Sequence, residues 1–173
     1  MRRQDSVFWA GIRRLRTGTR VADARCMMPA AAPGADAPVH FKVLGPDAGG
    51  VSVADLRRLF RGQRMTLARR AQLSRGGRIL ALCGNRIVGL AAYDRTDREL
   101  RVDDVGIDDA SACPADSIAD ALLDALELGC VAGSVRRLMV LPRTTRFDDL
   151  LRRRGYAAIA RAAAGTWFEK RFA

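Results

Sequence analysis

The side chains able to do chemistry gather in one stretch of the chain, from Leu100 to Pro142. Leu100-Arg101-Val102-Asp103-Asp104-Val105-Gly106-Ile107 places apolar residues at 100, 102, 105 and 107. That is two-residue alternation with one slip at the adjacent carboxylates Asp103 and Asp104, which reads as a strand containing a bulge. A loop from Asp108 to Cys113 leads to Pro114-Ala115-Asp116-Ser117, a helix opening. Proline lacks the N–H that a first turn leaves unpaired, and an early carboxylate suits the helix dipole. Ile118, Leu122, Ala125 and Gly129 follow at helical spacing, with Asp120, Asp124 and Glu127 on the opposite face. After Gly133-Ser134, the run Arg137 to Leu141 is a short strand stopped by Pro142. A unit of this length predicts two parallel or splayed strands crossed over by one helix. Ligands of such units sit at the carboxyl ends of the strands, near the helix N-terminus.

Other reactive residue types are sparse. His40 is the single histidine and points away from the face formed by Val39, Phe41 and Val43, so it reads as an exposed strand residue. Cys26, Cys83, Cys113 and Cys130 have no metal-ligand spacing, and no metal site is expected. Cys83 and Cys130 lie among apolar neighbours and read as buried thiols, in keeping with a reducing cytoplasm.

At 173 residues, 49% of them hydrophobic, the chain holds enough apolar matter for one cored domain plus a tail. No apolar run approaches the roughly 20 residues of a membrane span. The formal charge of +11 comes almost wholly from arginine, Lys42 and Lys170 being the only lysines. That charge attracts polyanions, so nucleic acid is admitted as a partner, on charge alone. Residues 1–37 form a basic extension with a short amphipathic pattern at Phe8, Ile12 and Leu15, then an Ala/Pro/Gly-rich linker. The folded domain is expected from residue 38 to 173.

Within that domain, Val39 to Val43 is a first strand. Ser52-Val53-Ala54-Asp55 is a capping box opening a helix with Leu56, Leu59 and Phe60 inward, stopped by Gly62. A second helix is expected from about Thr66 to Arg75, with Leu67, Ala71 and Leu73 inward; it is the most arginine-rich part of the chain. Ile79 to Cys83 and Arg86 to Tyr93 flank Gly84-Asn85 as a hairpin. Phe147, Leu150 and Leu151 mark a late helix ended by Gly155, and two strands around Gly165 complete the chain.

This order, with Arg-Ile-Leu-Ala-Leu-Cys-Gly-Asn-Arg-Ile-Val-Gly-Leu-Ala from Arg78 to Ala91 leading the core, resembles the GNAT N-acetyltransferase family. Leu151-Arg152-Arg153-Arg154-Gly155-Tyr156 resembles its late helix, and the likeness runs from about Val39 to Phe172. The resemblance implies an α/β fold: a mixed, mostly antiparallel, splayed central sheet flanked by helices. It also implies acetyl-CoA as co-substrate, entering where the fourth and fifth strands part. Val105, Gly106 and Ile107 would then meet the pantetheine. Ser117, Ile118 and Ala119 would offer amides to the diphosphate, and Thr144 stands where the family usually has an asparagine. Fourth-strand carboxylates serve as general base in the family, which makes Asp104 and Asp103 the catalytic candidates.

The departures from the family pattern are specific. Its diphosphate loop reads Arg or Gln, two residues, Gly, any residue, Gly or Ala. Here that run is Pro114-Ala115-Asp116-Ser117-Ile118-Ala119, keeping only the last small residue, with Asp116 and Asp120 set against an anion. The family's usual tyrosine acid is Leu151, and Tyr156 is a packing residue. The leading expectation is therefore acetyl transfer to an amine of a small molecule or protein. Alternatives are a catalytically inactive binding or regulatory domain of the same fold, and an arginine-rich nucleic-acid-associated protein. A homodimer is compatible with the sequence.

Overall fold

The computed structural model describes residues 39–45, 51–63, 66, 69–71, 73, 76–133, 135–142, 145–163 and 165–173. The N-terminal extension and Thr144 lie outside them. The elements in chain order are β1 (Val39–Leu44), α1 (Val53–Leu59), β2 (Gly77–Cys83), β3 (Arg86–Arg95), β4 (Glu99–Ile107), α2 (Ala115–Ala132), β5 (Arg137–Val140), α3 (Thr145–Arg153), β6 (Ala157–Ala162) and β7 (Gly165–Arg171). The strands form one sheet in the order β1-β2-β3-β4-β5-β7-β6. Only β4 and β5 run parallel, since α2 crosses over between them; the other pairs are antiparallel. This is the mixed, mostly antiparallel α/β architecture expected.

Alternation along the strands divides the apolar residues between two faces. Ile79, Ala91, Leu100, Val102, Leu138 and Phe168 meet Ile118, Leu122 and Leu126 of α2 with Phe147 and Leu151 of α3. Leu80, Leu90 and Ala92 turn the other way, onto Leu56, Leu59 and Phe60 of α1 and Leu73. The Ser52 box forms: Ser52 Oγ accepts from the Asp55 amide at 3.0 Å and donates to the Asp55 carboxylate at 2.7 Å. Gly84 opens the two-residue turn between β2 and β3 with φ of +59°, a value only glycine adopts at no cost. Of the second helix only Arg69 to Ala71 and Leu73 are described as helical, and Leu73 is buried. The expected inward position Leu67 lies outside the described residues.

The bulge falls where the carboxylates interrupt the alternation. Ala92 opposes Asp104 and Tyr93 opposes Val102, so Asp103 is the extra residue. Pairing between β4 and β5 runs from Glu99–Arg137 to Val102–Val140, and the last bond is Leu141 N to Val102 O at 2.9 Å. Pro142 has no N–H to continue the ladder, and the bulge increases the local twist of β4. The two strands therefore part at Asp103, leaving Asp103 to Ile107 bonded to β3 alone among the described strands.

Candidate functional site

The parting of β4 and β5 opens a solvent-facing cleft of about 100 Å³. Val105 and Ile107 form its β4 wall, Ala115, Asp116 and Ala119 the first turns of α2, and Phe147 and Leu150 the α3 side. Leu59, Arg61 and Gln63 close it from the end of α1, and Asp109 from the loop before α2. Of the residues expected here, Val105, Ile107 and Ala119 meet in this cleft. Arg61, Gln63, Asp109 and Phe147 belong to it as well, and no spacing in the sequence linked them to β4.

Gly106 faces the opposite way. A Cβ there would come within 2.7 Å of the Phe60 ring, so glycine lets the end of α1 lie directly on β4. Ile118 is fully buried against β3: a Cβ on Gly89 would meet its Cγ2 at 2.7 Å. The amide of Ile118 is taken by Pro114 O at 3.1 Å, the first bond of the α2 ladder. The amides that precede this ladder, at Ala115 and Ser117, are the ones a helix leaves for an anion. Of the three amides that the resemblance assigned to the diphosphate, that of Ile118 is therefore committed to the helix.

Asp103 and Asp104 line a smaller adjoining pocket with Leu73, Gly76, Ala92, Tyr93 and Asp94. Asp104 is 1% exposed. The Arg69 guanidinium grips its carboxylate through Nε, at 3.1 and 3.3 Å, and through a short Nη2 contact. Arg69 also donates to Gln63 Oε1 at 2.7 Å and lies 4.9 Å from the centre of the Phe60 ring. Asp103 accepts from Arg101 Nε at 2.9 Å. Neither aspartate is the solvated bulge residue that strand alternation alone would suggest. Gln63 belongs to both pockets' surroundings, lining the cleft and holding the cation that grips Asp104.

Two further charge clusters frame the cleft. Asp108, buried and unremarked in sequence, is ion-paired with Arg58, whose Nε lies 2.9 Å from it, accepts from Arg86 Nη2 at 2.7 Å and caps the Ala110 amide at 3.2 Å. It ties the loop before α2 to α1 and to the start of β3. Along the other side of α2, Arg154 bonds Asp120 Oδ1 at 3.0 Å, Glu127 Oε1 at 3.3 Å and, through a short contact, Asp124. Asp120 therefore faces a guanidinium, which corrects the expectation that it stands unopposed against a diphosphate. Burial disfavours the Arg154 charge, but bonds to Asp124 and Asp120 outweigh it and raise the pKa. Glu127 also accepts from Tyr156 Oη at 3.0 Å and Lys170 Nζ at 2.8 Å. Burial, the Glu127 charge and that hydrogen bond push the Tyr156 phenol well above its usual range. A phenol so placed is a packing and anchoring group, as the sequence indicated. Leu151, at the position of the family's acid, is fully buried in the core.

No family model and no curated protein matches the sequence. Solved structures do match the fold. A GNAT family acetyltransferase from Elizabethkingia anophelis with acetyl-CoA bound superposes with a TM-score of 0.59 at 13% identity, covering 76% of this chain and 98% of that one. An acetyltransferase from Bacillus subtilis in complex with CoA gives 0.59 at 11% identity, over 79% of this chain and all of that one. The N-acetyltransferase PseH from Campylobacter jejuni, with acetyl coenzyme A, gives 0.52 at 9%, over 78% of this chain. The chain has the GNAT acetyltransferase fold, at 9–13% sequence identity to these structures. Among the described residues no cluster of metal-ligating side chains occurs, and no helix is long and apolar enough to cross a membrane.

Proposed function

We propose that the protein is an acetyl-CoA-dependent N-acyltransferase. The observation that carries this reading is the cleft where β4 leaves β5, walled by the part of β4 beyond that parting and closed by the first turn of α2. Neighbours of the same fold hold acetyl-CoA or CoA. The residues present fit the two ends of that molecule unequally. Val105 and Ile107 offer an extended edge and apolar wall for the pantetheine arm. At the diphosphate end Arg61 and the amides of Ala115 and Ser117 attract an anion, whereas Asp116 and Asp109 oppose it. Weak binding follows.

Acetyl-CoA supplies a thioester whose thiolate leaves readily, so Leu151 in place of an acid is no obstacle to transfer. The acceptor amine enters on the side of the smaller pocket, where Asp103 and Asp104 stand. Asp104 accepts the amine proton, and Arg69 fixes the orientation of that carboxylate. The deprotonated amine then bonds the acetyl carbon as the C–S bond breaks. The acceptor is an amine of a small molecule or a protein.

Isothermal titration with acetyl-CoA, paired with transfer assays on a panel of polyamines and peptides, tests this reading. Asp104→Asn should lower transfer by roughly 100-fold or more while leaving cofactor affinity unchanged, as loss of a general base requires. Absence of acetyl-CoA binding at millimolar concentration would sink the enzyme reading. The cleft would then serve a binding domain of the same fold, an alternative favoured by the loss of glycine from the α2 opening. The nucleic-acid reading loses ground because Arg58, Arg69, Arg86, Arg101, Arg137 and Arg154 are committed to carboxylates of the domain itself.

A further inference from the structure

We propose that Cys83 and Cys113 form a disulfide on mild oxidation, and that this bond fastens the loop opening α2 to the end of β2. The two sulfurs lie 3.3 Å apart, Cys113 Sγ donating to Cys83 Sγ. The remaining travel to a covalent S–S bond of about 2.05 Å is small. Cys83 is the last residue of β2, on the face that α2 covers. Cys113 directly precedes Pro114, the N-cap of α2. Both ends are held without the thiols: β2 is paired on both edges, and the loop is tied down by Asp108 and by Ser111 Oγ donating to Cys113 O at 2.8 Å.

Neither thiol is deep. Both are buried, but the chain around Cys113 is exposed at Asp109, Ala110, Ala112 and Pro114, so a small oxidant has only one layer to cross. The hydrogen bond to Cys83, and then burial, raise the Cys113 thiol, so reaction is slow rather than spontaneous in air. With hydrogen peroxide as oxidant, one sulfur attacks the O–O bond, giving a sulfenic acid and water. The second sulfur then displaces the hydroxyl as another water. Two S–H bonds are lost, one S–S bond forms, and two electrons reduce the peroxide. A sulfenic acid on either residue is already within reach of its partner, which favours the disulfide over further oxidation. Cys130 offers no such pairing. It is fully buried within α2, its thiol is pushed up to about 12, and desolvation is the main cause.

The consequence lies at the cleft. Ala115 and Asp116, two and three residues beyond Cys113, line it. A bond spanning a sequence separation of 30 residues restricts the unfolded chain and pins the loop that leads into that wall.

The test treats the full-length protein with hydrogen peroxide or diamide under native conditions. Digestion uses trypsin with a glutamate-specific protease, whose cut after Glu127 separates Cys113 from Cys130. The expected product is a Cys83–Cys113 linked peptide two hydrogens lighter than its parts, reversed by dithiothreitol. It should be absent from Cys83→Ser and Cys113→Ser. The oxidised protein should melt higher by on the order of 5–10 °C, and amides 109–113 should exchange several-fold more slowly. Separate adducts on the two cysteines, sulfinic acid on one of them, linkage to Cys26 or Cys130, or no linkage under native conditions would each overturn the proposal. None of these readouts depends on acetyl-CoA binding, so the enzyme reading and this one fail independently.

Discussion

Replacing Asp116 by asparagine removes one negative charge from the first turn of α2 at nearly constant volume. Asp116 lines the cleft beside the amides of Ala115 and Ser117, where the diphosphate of acetyl-CoA is proposed to rest. A charge within the first helical turn is worth about 0.3–1 kcal/mol when exposed, favourable to the helix and adverse to a neighbouring anion. Asp116→Asn should therefore tighten acetyl-CoA about two- to fivefold at low salt. The helix loses the same favourable term, so the melting temperature should fall by roughly 1–4 °C. Titration calorimetry at two ionic strengths separates the effects. The gain in affinity should vanish near 1 M salt, where the screening length is about 3 Å. Asp120→Asn is the control. Because Arg154 already opposes Asp120 at 3.0 Å, its removal should leave affinity unchanged. Equal or weaker binding by Asp116→Asn at low salt, or a gain indifferent to salt, would refute the placement of the anion at this helix opening.

Arg154→Met removes the cation facing Asp120, Asp124 and Glu127, leaving three carboxylates on one side of α2. A loss of about 1–3 kcal/mol in urea unfolding is expected, and Glu127→Gln in that background should recover part of it. Gly89→Ala brings a methyl to 2.7 Å from Ile118 Cγ2 and 3.1 Å from Leu122 Cδ1, in a fully packed interface. A cost of about 1–3 kcal/mol follows, and a neutral outcome would show that α2 shifts freely on the sheet. Hydrogen bonds from Arg171 and then Arg137 hold the Glu169 carboxyl below its ordinary 4.5, against the opposing effect of burial. A depressed folded-state pKa stabilises above the unfolded value, and that stability disappears as pH falls through the folded one. Glu169→Gln should thus be less stable than the parent at neutral pH, and the difference should close below about pH 4.5; a gap that stays constant down to pH 3 would show that packing, not charge, is at issue.

Much of this architecture is written in local pattern. Alternation broken at Asp103-Asp104 located the bulge in β4, because side chains alternate along a strand and one extra residue shifts every later one. Ser52 with Asp55, Gly62, Gly84-Asn85 and Pro142 marked the ends of elements through caps, positive φ and a missing N–H, all properties of a few neighbouring residues. The parting of β4 from β5 follows from two such local features together. What spacing could not supply is partnership between distant residues. Nothing near Asp104 in the chain indicates that Arg69 holds it, or that Gln63 and Phe60 hold Arg69. The charges of Asp120, Asp124 and Glu127 were plain on one helical face, but their neutralisation depends on Arg154, Tyr156 and Lys170 arriving from beyond β5. That arrival depends on β7 inserting between β5 and β6, a sheet order that no local rule specifies. Cys83 and Cys113 looked scattered for the same reason: thirty positions apart in sequence, they meet only because α2 folds back over the end of β2. Backbone preference acts over a few residues, whereas charge pairing and thiol proximity are set when whole elements pack.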